Sequence, residues 1–349
     1  MTETMSPTGS PTGSPTRSPT GSPPGSLTGR RTLLGAGATL LAAPALGQPR
    51  WPARPVQMLC PWAAGGGTDA VVRIIATLLQ RDLGQPFNVV NRTGGSGVVG
   101  HAAIAQAAPD GYTLGIITAE IAMLHWQGLT ELTYRNFTPL GLMNNDPPGI
   151  QVNNASPHRD VNALADAIKA SRPGQLKASG TGQGGIWHLA LAGWLGAMRL
   201  PADHVRWVPS NGAAPAMQDL AAGGLDFTTN SVPEARAIID AGRARSLAVM
   251  APERLSAFPN IPTLKEAMGL DYSTGAWRGI AGPLNLPAEI ASAMDAALKR
   301  VFDSAEYKEF LNNRGFGLVY ADAAGFGRHL AASDSSLGDA MKAAGLARS

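Results

Sequence analysis

Val56-Gln57-Met58-Leu59-Cys60 runs into Pro61-Trp62-Ala63-Ala64-Gly65-Gly66-Gly67-Thr68-Asp69, and residues 70–83 then carry apolar side chains at Val71, Ile74, Ile75, Leu78 and Leu79. A short apolar run stopped by proline predicts a strand, and apolar positions three and four apart predict an amphipathic helix. The glycines between them predict a tight turn, with Thr68 or Asp69 as the helix N-cap. The alternation continues with a strand at 87–90, a helix at 98–107, a Pro109-Asp110-Gly111 turn and a strand at 112–118. Strands separated by helices of this length predict an α/β unit built on a parallel sheet.

Pro147-Pro148-Gly149 breaks the pattern, and a second series follows. Strands are predicted at 150–152, 176–178, 204–208, 227–229 and 246–250, with helices at 161–170, 186–198, 214–222 and 233–241 between them. Helices return at 287–302, 305–312 and 323–344, too much for a tail and suited to packing on the first unit. The expectation is a two-lobed α/β protein whose first lobe is discontinuous, residues 48–146 with 251–349, and whose second lobe is 147–250.

The 349 residues are 44% hydrophobic, enough for a sizeable core in each lobe. Lys and Arg number 28 against 25 Asp and Glu, so no charge excess points to nucleic acid. Residues 1–29 repeat Ser-Pro-Thr-Gly at 6–9 and 10–13, a composition that buries almost nothing apolar and is expected to be disordered. Residues 30–47 read as an export signal: Arg30-Arg31-Thr32-Leu33-Leu34, a weakly apolar stretch to Ala43, then small residues at Ala43, Ala45 and Gly47. The paired arginines resemble a twin-arginine signal, and the stretch is far short of the ~20 apolar residues that span a bilayer. Cys60 is the single cysteine, which excludes an internal disulfide; in its apolar run it reads as a buried strand thiol.

Glycines let a ligand approach the backbone, and a helix start offers unpaired N–H groups, so the loop at 63–69 implies an anion. Asn91-Arg92-Thr93-Gly94-Gly95-Ser96-Gly97-Val98-Val99-Gly100 repeats the arrangement, and Gly95, Gly97 and Gly100 fit G-x-G-x-x-G, with Glu120 following 20 residues after Gly100. That makes a dinucleotide site a candidate, although four residues separate Val90 from Gly95 and this is not the chain's first strand-turn-helix unit. His101 stands where a P-loop needs lysine, and Ser96 lacks the second glycine of a nucleophile elbow. The six histidines have no partner at i, i+4 and no carboxylate or cysteine cluster, so no metal is expected. His188, after the glycine-rich stretch 179–185, reads as a packing or hydrogen-bonding residue. Trp187 and Trp194 read as core, and Trp62 and Trp277 as walls of a cleft.

Taken in order, several stretches resemble the solute receptors of tripartite tricarboxylate transporters, the Bug family. They are Pro61 to Asp69, Leu83-Gly84-Gln85-Pro86, Val90-Asn91-Arg92 with Gly94, Gly97 and Gly100, and Ala108 to Leu114. Further along come Gly180-x-Gly182 with His188, Val208-Pro209 with Gly212 and Pro215-Ala216, Pro259 to Leu264, and Trp277-x-Gly279. The resemblance implies a periplasmic-binding-protein-like fold with a ligand cleft between its lobes. It implies no catalysis, cofactor or metal, and export to the periplasm or the outer face of the cytoplasmic membrane. It also implies a monomer that takes a small carboxylated metabolite to the membrane subunits of such a transporter.

By the same resemblance the first-lobe loops hold a carboxylate through backbone N–H groups and bridging waters, at Gly66, Gly67, Thr68, Asp69, Gly95, Ser96 and Gly97. Thr181, Gly185, His188, Asn211 and Ser231 would line the cleft from the second lobe, with Trp62 and Trp277 as walls. Thr93, Ser96, Gly185 and the Ser210-Asn211 pair depart from the usual family residues, and the last removes a lysine, which favours a monocarboxylate or an amide-bearing ligand. The competing class is a nucleotide-cofactor-dependent two-domain α/β enzyme.

Overall fold

A computed structural model describes residues 51–348; the repeat and the export signal expected over 1–47 lie outside them. β1 (Val56–Cys60) is buried at four of its five positions because it pairs in parallel on both sides, with β2 (Phe87–Asn91) and β3 (Thr113–Thr118). α1 (Gly67–Leu83) and α2 (Val98–Ala105) make the two crossovers. α1 buries Val71, Val72, Ile75, Leu78 and Leu79 and stops at Gly84, whose φ of 73° closes the last turn with a bond from its N–H to the Gln80 carbonyl. Its N-cap is Gly66, not Thr68 or Asp69. Asp69 instead reaches back from the first turn to accept from the Gly65 N–H at 2.9 Å.

Within the first sheet the parallel-sheet expectation holds for these three strands alone. β4 (Phe137–Asp146) leads out of the first lobe and β5 (Gly149–Asn153) opens the second. Then come α3 (Val161–Ala170), β6 (Lys177–Ser179), α4 (Ile186–Ala197), β7 (Arg206–Trp207), α5 (Ala213–Ala222), β8 (Phe227–Thr228), α6 (Val232–Asp240) and β9 (Ala244–Val249). The second sheet runs β7-β6-β8-β5-β9, with β5 antiparallel to both neighbours.

After α7 (Leu264–Met268) the chain returns as β10 (Ala276–Pro283), followed by α8 (Ala288–Asp303), α9 (Ala305–Arg314), β11 (Leu318–Asp322) and α10 (Ala323–Ala343). β10 inserts between β3 and β4, antiparallel to both, and β11 pairs antiparallel with β4, so the first sheet is mixed and runs β11-β4-β10-β3-β1-β2. The cause is the direction of re-entry: a strand coming back from the second sheet enters the first from the opposite end. α8 and α9 complete the core over this sheet, placing Met294, Leu298 and Tyr307 against Val56, Met58, Leu114 and Ile116. Cys60 is fully buried, and burial pushes its thiol up to about 12, so it is an inert core residue.

Candidate functional site

α1, α4, α5 and α6 begin at one cavity between the two sheets. Its lining includes Gly66, Gly67 and Thr68 from the start of α1, Ile186 and Trp187 from α4, Gly212 and Ala213 from α5, and Glu234 from α6. Thr118 and Glu120 enter it from the end of β3, and Trp277 and Arg278 from β10. Each helix start brings unpaired backbone N–H groups and a partial positive charge. Backbone contact already joins the sides, since the Ala63 N–H donates to the Asn211 carbonyl at 3.0 Å. About 20 Å³ remains free inside, room for a water and little more.

The cavity is small because charged side chains fill it. Arg278 donates from Nε to Thr68 Oγ1 at 2.9 Å, from one terminal nitrogen to Asn144 and Asp146, and from the other to Glu234 Oε1 at 2.9 Å. Arg278 and Asp146 belong to the first sheet and Glu234 to α6, so this ion pair bridges the cleft. Burial works against the guanidinium, but Asp146 and Glu234 hold its pKa above the ordinary value. Burial raises the pKa of Glu234, with Arg278 opposing.

Glu120 makes the reciprocal crossing. Its Oε1 accepts from the Ile186 N–H at 3.2 Å, the first residue of α4, while Oε2 accepts from the Thr118 hydroxyl. Burial raises this carboxyl as well, partly offset by those donors. An anion position on each side of the cleft is therefore occupied by a carboxylate from the other side.

Of the residues expected from sequence, Trp62, Gly66, Gly67, Thr68, Thr181 and Trp277 line this cavity. The others sit elsewhere. Gly95, Ser96, Gly97 and Asn211 line a separate recess of about 220 Å³ with Gly182 and Pro209. There Ser96 Oγ donates across to the Gln183 carbonyl at 3.0 Å, so the second glycine loop makes an interlobe contact. Asp69 is turned into its own lobe, accepting from Arg73 Nε and Asn91 Nδ2 at 2.9 Å. Gly185 is the N-cap of α4, and a β-carbon there would meet Thr181 Oγ1 at 2.6 Å.

His188 accepts at Nδ1 from the Gly184 N–H at 3.0 Å and stacks on Trp207, ring centroids 4.7 Å apart, which is the packing role read for it. Ser231 is the buried N-cap of α6 and is not in the cavity lining.

Arg278, Glu234 and Glu120 carry the charge of the site, and sequence reasoning missed the first two and gave the third another role. Arg278 adds a charged donor beside the backbone groups of Gly66 and Gly67 expected from sequence. An arginine in the otherwise apolar run 276–283 was the available signal, and Ser231-x-x-Glu234 has the spacing of a capping box.

Residues 71–346 match the family model described as the tripartite tricarboxylate transporter family receptor. The chain belongs to that family. Among its relatives, protein BugT of Bordetella pertussis is 30% identical over 276 residues, which is 78% of this chain and 83% of BugT. Among solved structures, R. palustris Rpa4515 with adipate superposes with a TM-score of 0.80 at 27% identity, covering 85% of this receptor and 99% of that chain. MatC from Rhodopseudomonas palustris with bound malate gives 0.76 at 25%, covering 83% and 99%. The likeness spans both sheets, so the two-lobed binding-protein fold belongs to the whole described chain.

Proposed function

We propose that this receptor captures a small carboxylated metabolite outside the cytoplasm and delivers it to the membrane subunits of a tripartite transporter. The observation that carries the reading is the convergence of four helix starts and the buried Arg278 on one interlobe cavity. On opening, a ligand carboxylate would take the place of Glu234, against Arg278, Thr68 and the backbone of Gly66 and Gly67, with Thr181 and the indoles of Trp62 and Trp277 around it. Two structural relatives have adipate and malate bound. Export through the signal at 30–47, a monomeric state and the absence of catalysis go with this reading.

A dinucleotide enzyme is disfavoured by the second glycine turn. A β-carbon on Gly182 would lie 2.6 Å from the Ser96 Cα, leaving no room there for a pyrophosphate, and Glu120 is committed to the start of α4. Thermal unfolding with a panel of small carboxylates, NAD and neutral sugars tests the proposal. At about a hundred times its dissociation constant a true ligand adds ~2.7 kcal/mol, a clear rise in Tm. At least one carboxylate is expected to give it; a rise with only NAD or sugars overturns the reading.

A further inference from the structure

We propose that Glu234 is a tethered competitor of the ligand: its carboxylate holds the ligand's place on Arg278 and, once the ligand is there, swings into a neighbouring recess to face Arg314. The proposal rests on the carboxylate reading above and deepens it. Gly66, Gly67 and Glu234 line both the interlobe cavity and an open recess of about 410 Å³. The glycine turn and the end of the Glu234 side chain therefore form the partition between the two spaces. A β-carbon on Gly67 would lie 2.6 Å from Oε1, 2.7 Å from Cγ and 3.0 Å from Cδ of Glu234, so glycine leaves the slot in which this carboxylate lies.

Charge decides that a resident carboxylate must yield. Arg278 is the single cation in the described lining of the cavity, and it already pairs with Asp146 and Glu234. A ligand carboxylate would be the third on one guanidinium, and burying surplus charge is strongly unfavourable. Asp146 is also held by the Gly317 N–H at 2.8 Å and by Asn144 Nδ2 at 3.0 Å. Glu234 has, besides Arg278, a long bond of 3.4 Å from the Ser231 N–H. Glu234 is thus the less firmly held of the two, and it rides on α6 in the second lobe, so opening of the cleft draws it off Arg278.

The recess supplies the counter-charge for the displaced group. α6 contributes Arg236 and Asp240 to it, and the end of α9 contributes Arg314. Arg236 and Asp240 match each other at 3.3 Å, and Arg236 also donates to the Asn313 carbonyl at 3.0 Å. Arg314 lies over the Phe310 ring, 4.6 Å from its centroid, and is the cation of the described recess left for Glu234. In this scheme Arg314 is a positioning residue, which acts on the ligand through Glu234.

The test is titration calorimetry of the mature chain at low ionic strength. Malate and the straight-chain mono- and dicarboxylates of two to six carbons are screened, and the tightest binder is carried through a double-mutant cycle of Glu234→Gln and Arg314→Gln. Glutamine keeps the capping acceptor of α6 and removes the competing charge, so Glu234→Gln is expected to bind the probe at least about tenfold tighter. Arg314→Gln alone is expected to weaken binding about threefold, the scale of an exposed ion pair, and to have no effect in the Glu234→Gln background. Glu234→Asp, which keeps the charge but withdraws it from Arg278 by one methylene, is expected to tighten binding as well and replaces the glutamine variant if that fails to fold. Unchanged or weaker binding by the Glu234 variants overturns the proposal and leaves the carboxylate reading standing. An Arg314 effect of the same size in both backgrounds also overturns it, because Arg314 would then act on the ligand or the fold directly. No binding of any of these carboxylates by the unaltered protein overturns both.

Discussion

Arg278 is the residue on which the site turns. Its side chain is 3% exposed and is held by Asp146 and Glu234, whose side chains are equally buried. Removing one partner of such a network leaves the others charged and unpaired, so Arg278→Met is expected to cost about 3–5 kcal/mol, read as a lower urea midpoint with unchanged slope. A loss below 1 kcal/mol would mean that Glu234 moves freely to water.

His101 gives a pH signature. Its Nδ1–H donates to the Gly97 carbonyl at 2.8 Å and its Nε2 accepts from the Thr118 N–H at 3.2 Å, so the folded ring is neutral. Burial takes its pKa down from 6.5 to about 4, and burial does the same for His188. The folded form then binds fewer protons than the unfolded form between those values, so stability is full above pH ~6.5 and falls as pH drops towards 4. Each ring accounts for up to about 3 kcal/mol. Urea unfolding at pH 7.5 and 4.5 is expected to show His101→Gln losing less stability on acidification than the unaltered protein, with the raised carboxyls of Glu120 and Glu234 acting in the opposite sense in both.

At the scale of elements, Asp69 decides how α1 is set. It ties the helix start to Gly65, and Arg73 and Asn91 converge on the same carboxylate. Burial raises its pKa, but these donors outweigh burial and hold the carboxyl below its usual range. Its stabilisation is present above pH ~3.9 and is lost as pH falls through the lower folded value. Asp69→Ala is expected to cost about 2 kcal/mol at pH 7 in urea unfolding, and to leave a folded protein with weakened ligand binding.

The β1–α1 pair was legible because a short apolar run stopped by proline is followed by apolar residues at a helix period, with glycine at the join. β4 and β10 were not. Phe137–Asp146 contains Pro139, Gly141 and Asn144-Asn145, and Ala276–Pro283 contains Arg278, Gly279 and Gly282, poor strand formers that hold their conformation through each other. A strand supplied from the far side of the second lobe has no local signal. The glycine loops show the same division. Gly97 is required by its φ of 96°, a property that the turn pattern in the sequence suggests, whereas Gly67 is required for space beside Glu234, a neighbour known only from the fold.

At the scale of the molecule, the chain leaves the first sheet between Asp146 and Gly149 and returns between Val249 and Ala276, so two connections carry any closure. The two-lobed division was readable from the alternation on either side of the proline break, whereas β4, β10 and β11, which complete the first sheet, were not. The cross-cleft glutamates were not, because pairing Glu120 with α4 and Glu234 with Arg278 depends on how two separately folded sheets face each other.

Closure on a carboxylate is measured most directly as an interlobe distance. Lys169 on α3 and Lys299 on α8 have side chains about half exposed, one in each lobe, and the buried native Cys60 will not take a label. Spin labels at Lys169→Cys and Lys299→Cys, read by double electron–electron resonance, report the separation with and without the carboxylate that most raises Tm. The account predicts that the ligand removes the longer distances and leaves one narrow, shorter population, and that Gly67→Val, which places a branched side chain where the carboxylate must sit, abolishes the response. An identical distribution with and without ligand, or an unchanged response in the folded valine variant, would contradict it.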